Sequence, residues 1–157
     1  MALADGNVVE DLVVVDGAIE LPVPASAIVV GLPFVAQIQS LYTDIPGEAT
    51  VQGKRKNIQQ VTVRVSRSRG LMVGANEVDA STQQNQATVP WTKLVTMKDR
   101  GNTVYAGTPV PLYTGDEIIN IPGNWRKPGQ VSIQQSYPLP MNILALIPDV
   151  VVGDDNG

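Results

Sequence analysis

The sequence predicts an all-β fold: a single-domain β-sandwich or a partly open β-barrel with long loops. Three observations carry this. Runs of Val, Ile and Thr recur along the 157 residues, separated by Gly, Pro, Asn and Asp, which is the composition of strands and turns. Successive runs sit roughly ten residues apart, the spacing of a sandwich or barrel. No stretch holds a helical apolar period between caps.

Taken in order, "VVEDLVVVDGAIEL" reads as two strands joined at Asp16-Gly17, a pair suited to a type I′ turn because both central residues need positive φ. Beyond it Ile19 and Leu21 alternate with Ala18 and Glu20, the pattern of a half-buried strand. Pro22 and Pro24 cannot donate to a ladder, so the chain there is an edge or a connection. "SAIVVGLPFVAQIQSL" gives two more short strands, bent at Gly31 and Pro33. The whole apolar stretch from 13 to 34 is expected to fill the β core with successive short strands.

"YTDIPGEATVQG" is turn-rich and reads as a loop. "KNIQQVTVRVSRSRG" is the cleanest strand, with Val61, Val63 and Val65 on one face and Thr62, Arg64 and Ser66 on the other. Continued alternation would put Arg67 and Arg69 on the valine face. Either the strand leaves the core at Ser66 or a bulge shifts its phase; exit is expected, because two buried unpaired guanidiniums would be very costly. "ASTQQNQAT" within the patternless segment 70–103 reads as an exposed loop. "TPVPLYTGDEIINIPG" turns at Gly115-Asp116, and "QVSIQQSYPLPMNILALIP" closes the domain with two strands around Pro138 and Pro140. The domain is expected to span 1–149, with residues 150–157 as a frayed tail.

Composition narrows the chemistry. The chain is 43% hydrophobic and 17% charged, apolar enough for a real core under a thin charge coat. Soluble domains usually carry about 25% charge, so part of the surface is expected to meet a partner. A net charge of −4 gives no global attraction to nucleic acid or anionic lipid. With no His and no Cys, the commonest general base, the commonest metal ligand and every thiolate device are missing, leaving carboxylate, Lys or Tyr chemistry. Asp16, Glu20 and three prolines break the opening stretch as a membrane helix, and "MALADGNVVED" lacks the basic region of a signal peptide.

Six of the 11 basic residues fall between positions 54 and 69: Lys54, Arg55, Lys56, Arg64, Arg67 and Arg69. Three readings stand: a solvated strand face that discourages edge pairing, a salt-bridging interface, or a face toward DNA. Stacking aromatics are not interleaved with them. Trp91, Trp125 and Tyr113 are candidate aromatic anchors; together with Tyr105 they would make a sugar platform only if exposed on one face. The carboxylate pairs Asp116-Glu117 and Glu77/Asp79 lack any context that sets a catalytic separation, and Asp116 reads as a turn residue. Gly53-Lys54 lacks the spacing of a P-loop.

Three blocks carry a resemblance. They are "ADGNVVEDLVVVDGAIELPVPASAIVVGLPFVAQIQSL", "QGKRKNIQQVTVRVSRSRGLMVG" and "PLYTGDEIINIPGNWRKPGQVSIQQSYPLPMNILALIP". In their order and spacing they resemble the C-terminal region of phage tail tubular (nozzle-type) proteins and related prophage virion structural proteins. The matching elements are Ala4-Asp5-Gly6, Val15 through Ala25, Val30 through Phe34, and the closing "PLPMNILALIP"; residues 75–105 have no counterpart. Members of that family are longer, so the resemblance implies a C-terminal domain of a longer virion protein or a short relative.

It implies a β-rich module of the virion tail, made in the bacterial host cytoplasm. Such a module would pack against copies of itself and other tail proteins around a DNA conduit, with non-specific DNA contact at the basic cluster. No membrane, no cofactor, no metal and no enzymatic residue is implied. The alternative from another class is a carbohydrate-binding or host-recognition module; a carboxylate enzyme is a third.

Overall fold

The computed structural model describes residues 1–45, 50–75, 94–98, 109–122 and 125–153. Its regular structure is all β, in ten strands: β1 (Ala2–Ala4), β2 (Asn7–Val9), β3 (Ile28–Val30), β4 (Ala36–Gln39), β5 (Lys56–Ser68), β6 (Met72–Ala75), β7 (Val95–Thr96), β8 (Tyr113–Asn120), β9 (Val131–Gln135) and β10 (Ile143–Val152). They form three sheets, ordered β2-β1-β3, β10-β5-β8 and β4-β9-β6-β7, none closed into a barrel.

The core lies between the second and third sheets. Ile58, Val61, Val63 and Val65 of β5 meet Leu71, Val73, Val131 and Ile133 from β6, β9 and the turn before β6, with Ile119, Ile121 and Met97 closing the cluster. The valine alternation of 61–65 therefore does what its period predicts. Strand β5 is antiparallel to both β10 and β8, and β10 carries Pro148 opposite Val61, a position open to proline because β10 is an edge.

The expected core stretch is elsewhere. Fourteen of the nineteen large apolar side chains exposed among the described residues lie between Val13 and Ile45, with Leu32 93%, Phe34 70% and Leu41 88% open. This corrects the expectation that 13–34 fills the core. Prolines 22, 24 and 33 and the bend at Gly31 limit this stretch to the three-residue β3 and a single bridge, Val15 with Ala18. Strand β3 pairs with β1 along its three residues, and all three of its side chains are exposed.

The Asp16-Gly17 turn does form. Both residues have positive φ (50° and 78°), and Val15 and Ala18 exchange backbone hydrogen bonds of 2.9 Å, as a type I′ turn requires. Besides the pairing of β3 with β1, a side chain ties the stretch back. The Asp5 carboxylate accepts hydrogen bonds from the amides of Ser26 (2.9 Å) and Ala27 (2.8 Å).

Three further expectations change. Strand β5 does not leave the core at Ser66. Val65 pairs with Gly115 and Ser68 with Tyr113, so one extra residue is accommodated there, and Arg67, at φ 47°, turns outward while Ser68 returns inward. Gly115-Asp116 is not a turn but the middle of β8. Tyr113 folds its hydroxyl over Gly115, where an added Cβ would come within 2.7 Å of it, and donates to the Asp116 carbonyl at 2.9 Å. The glycine is thus a steric requirement of a strand, which sequence alone reads as a turn. Finally, β10 runs to Val152, beyond the expected boundary at 149, because Val150, Val151 and Val152 pair with Ile58, Asn57 and Lys56.

Ile133 is fully buried at the centre of β9, between β4 and β6. Ile133→Ala should lower unfolding free energy by about 2–5 kcal/mol, read from urea denaturation, whereas Val23→Ala in the open arm should change it by no more than ~0.5 kcal/mol.

Candidate functional site

The six basic residues do not form one patch. Strand β5 rises roughly 3.3 Å per residue, so Arg55 and Arg67 stand roughly 40 Å apart along it. Two of the six are built into the frame. Lys56 is buried, and its Nζ donates to the Lys127 carbonyl at 3.0 Å. Arg69 is 6% exposed, with its guanidinium donating to the carbonyls of Val110 and, at 3.0 Å, Gly6. A buried guanidinium is tolerated there because it is hydrogen-bonded, whereas the sequence argument for strand exit took it as unpaired.

Arg64 lies on the outer face of the β10-β5-β8 sheet and grips Asp116 with two hydrogen bonds, Nε–Oδ1 2.7 Å and Nη2–Oδ2 2.8 Å. The pairing follows from register, since Arg64 and Asp116 are cross-strand partners. Asp116 is thus committed to a neighbour on its own sheet. Arg67 is exposed on its bulge, its amide donating to Thr114 Oγ1 at 2.9 Å.

At the other end of β5 the structure assembles what the sequence scatters. Lys56 and Arg126 exchange backbone hydrogen bonds of 2.7 and 2.9 Å, bringing Lys54, Arg55 and Lys56 beside Trp125, Arg126 and Lys127. The signal was legible in part: "WRKPG" is basic and aromatic, yet nothing local shows that it pairs with "KRK" seventy residues earlier.

Of the aromatic anchors, Trp91 lies outside the described residues, as do Tyr105, Glu77 and Asp79. Trp125 is 45% exposed, while Tyr113 is partly buried against the core. Trp125 stands near the Asn57 end of β5 and Tyr113 opposite Ser68, roughly 35 Å apart by strand rise, so these two do not share a sugar platform.

Arg69 also floors a cavity of about 330 Å³ lined by Asn7, Glu10, Val110, Tyr137 and Leu139. Among the described residues Glu10 is the one carboxylate that lines it, which does not supply the paired acids of glycoside hydrolysis. No group of three or more metal-ligating acidic side chains occurs among the described residues. No protein-family model matches the sequence, and no curated protein matches it.

The carboxylates that organise the surface share one electrostatic sign. Hydrogen bonding and charge from Arg64 hold Asp116 below its ordinary value; the amides of Ser26 and Ala27 do so for Asp5. Asp44 is lowered chiefly by the Val51 amide, with help from Ile45, Gln52 and Thr50. A carboxyl depressed in the folded state adds stability above its unfolded value and loses it as pH falls through the folded one.

Urea midpoints should therefore drop as pH falls below about 3.8, and D5N/D44N/D116N should flatten that dependence. Arg69→Ala strips donors from two carbonyls and should cost about 3 kcal/mol while raising amide exchange in β1 and β2. Arg67→Ala should stay within ~0.5 kcal/mol of the parent chain.

Proposed function

We propose that the chain is a structural assembly module of a phage tail tube or nozzle, packing against copies of itself and neighbouring tail proteins around a DNA conduit. The observation that carries the reading is the open apolar arm. Monomeric proteins rarely expose apolar patches beyond about 300–600 Å². Fully burying an aliphatic side chain removes roughly 60–120 Å² of apolar area. Fourteen such groups between Val13 and Ile45, 40–93% open, put on the order of 1,000 Å² of apolar surface along one stretch of chain. A standard protein interface takes about 800 Å² from each partner.

Two features support an assembly role over a merely loose segment. The arm is anchored by the Asp5 carboxylate and by β3 pairing with β1, so part of its apolar surface is presented in a fixed path. Among the described residues strand β4 lies at the end of its sheet, beside β9, and carries the exposed Ile38. The motifs that carry the resemblance to tail tubular proteins fall on these parts. Asp5-Gly6 makes the β1–β2 turn and the clamp, and "VGLPF" holds Leu32 and Phe34 outward. The virion tail is the location this reading assigns.

Sedimentation velocity across a concentration series tests it. The parent chain should form defined oligomers, and L32D/F34D/L41D should stay monomeric with an unchanged thermal melt. Association that the three aspartates leave untouched, or no association up to ~1 mM, overturns the reading.

A further inference from the structure

We propose that Arg55, Lys127 and Trp125 form a contact site for single-stranded nucleic acid. The argument is one of register. Lys56 and Arg126 are directly opposed, so Arg55 falls opposite Lys127 and Asn57 opposite Trp125. Side chains alternate across a strand, which puts all four on one face, opposite to that of Lys56. On the far side of β5, Asn57 pairs with Val151, and the Gly153 amide donates to the Arg55 carbonyl at 2.8 Å.

The six-membered ring of Trp125 reaches Gly153, where an added Cβ would lie 3.1 Å from Cζ3. The indole therefore crosses the face as a plate that rests on a residue without a side chain. Nearly half of Trp125 stays open, with cationic groups in the adjoining row. Lys54, Arg55 and Lys127 make no ion pair with any described residue. The nearby Asp44 carboxylate is occupied by Thr50, Val51 and Gln52.

A second observation comes from Asn57, which is 7% exposed in the same row as Trp125. Its Oδ1 is the buried side-chain polar atom without a hydrogen-bond partner among the described residues. That atom is sealed from solvent, so contact with a ligand rests on the exposed indole and the flanking cations. Unpaired bases on an exposed aromatic plate, with phosphates held by flanking cations, are the recognition mode of single-strand binders. A duplex presents no open base face to stack.

This site stands apart from the assembly reading, because its variants leave the apolar side chains of the arm intact. Fluorescence anisotropy with labelled dT20, rU20 and a 20-base-pair duplex tests it on the full chain. Both single strands should bind, more tightly than the duplex, with log K falling against log salt at a slope of about −2, as expected for three phosphates. R55E/K127E should weaken single-strand binding at least ~10-fold, and W125A roughly 5- to 100-fold. R67E, a charge reversal at the other end of β5, should leave it within ~2-fold of the parent. Both R55E and K127E lie on exposed positions, so a retained melting transition separates lost contact from lost fold. Unchanged binding in R55E/K127E overturns the site. Equal affinity for poly-aspartate with no effect of W125A overturns its assignment to nucleic acid.

Discussion

Strand β5 is the one strand in its sheet that pairs on both sides, and both edge strands hang from it. Over its 13 residues it must satisfy two ladders while keeping its apolar side chains toward the second sheet. A strict two-residue period cannot do that from Ile58 to Ser68. The conflict is resolved by register slips. Gln59 is passed over against β10, so Ile58 and Val61 both face inward, and the extra residue at Arg67 lets Ser68 return. A third slip, at Leu144, lies in β10 itself and keeps that edge in step. The core exists because these adjustments hold one apolar face along the full strand.

The fold class was legible because strand periodicity and turn residues are local properties. Val61, Val63 and Val65 alternate in the sequence as they do in the core, and Asp16-Gly17 announces its own turn geometry. The location of the core was not legible in the same way. Residues 13–34 are as apolar as any, but burial needs a facing layer, and prolines at 22, 24 and 33 deny the stretch the long ladder from which such a layer is built. Gly115 misled for a related reason: its role is to admit the Tyr113 hydroxyl, a contact within its own strand that resembles a turn signal in text. The basic run 54–69 reads as a cluster only in one dimension. Along an extended strand its members spread over tens of ångströms, and two of them are sequestered by backbone carbonyls. What replaces it, the junction of 54–56 with 125–127, depends on a non-local pairing with no local trace.

The molecule divides its labour between a frame and an arm. The frame puts its apolar groups between two sheets and neutralises or hydrogen-bonds three of its cations internally: Arg64, Lys56 and Arg69. The arm leaves its apolar groups outside. Such a division suits a part whose stability is complete before assembly and whose affinity is held in reserve for it. The low overall charge fits the same economy, since surface reserved for apolar contact cannot also be coated with ions.

The three-stranded sheet at the chain start has a topological consequence. Strand β1 lies between β2 and β3, while the intervening segment from 10 to 27 runs over the surface. A protease that severed this exposed connection would not release either piece. Across such a cut the first strand stays paired with β3, and the Asp5 carboxylate stays on the amides of Ser26 and Ala27 when the cut precedes them, so the fragments keep a non-covalent latch. A simple hairpin at a chain terminus has no such contact across its loop.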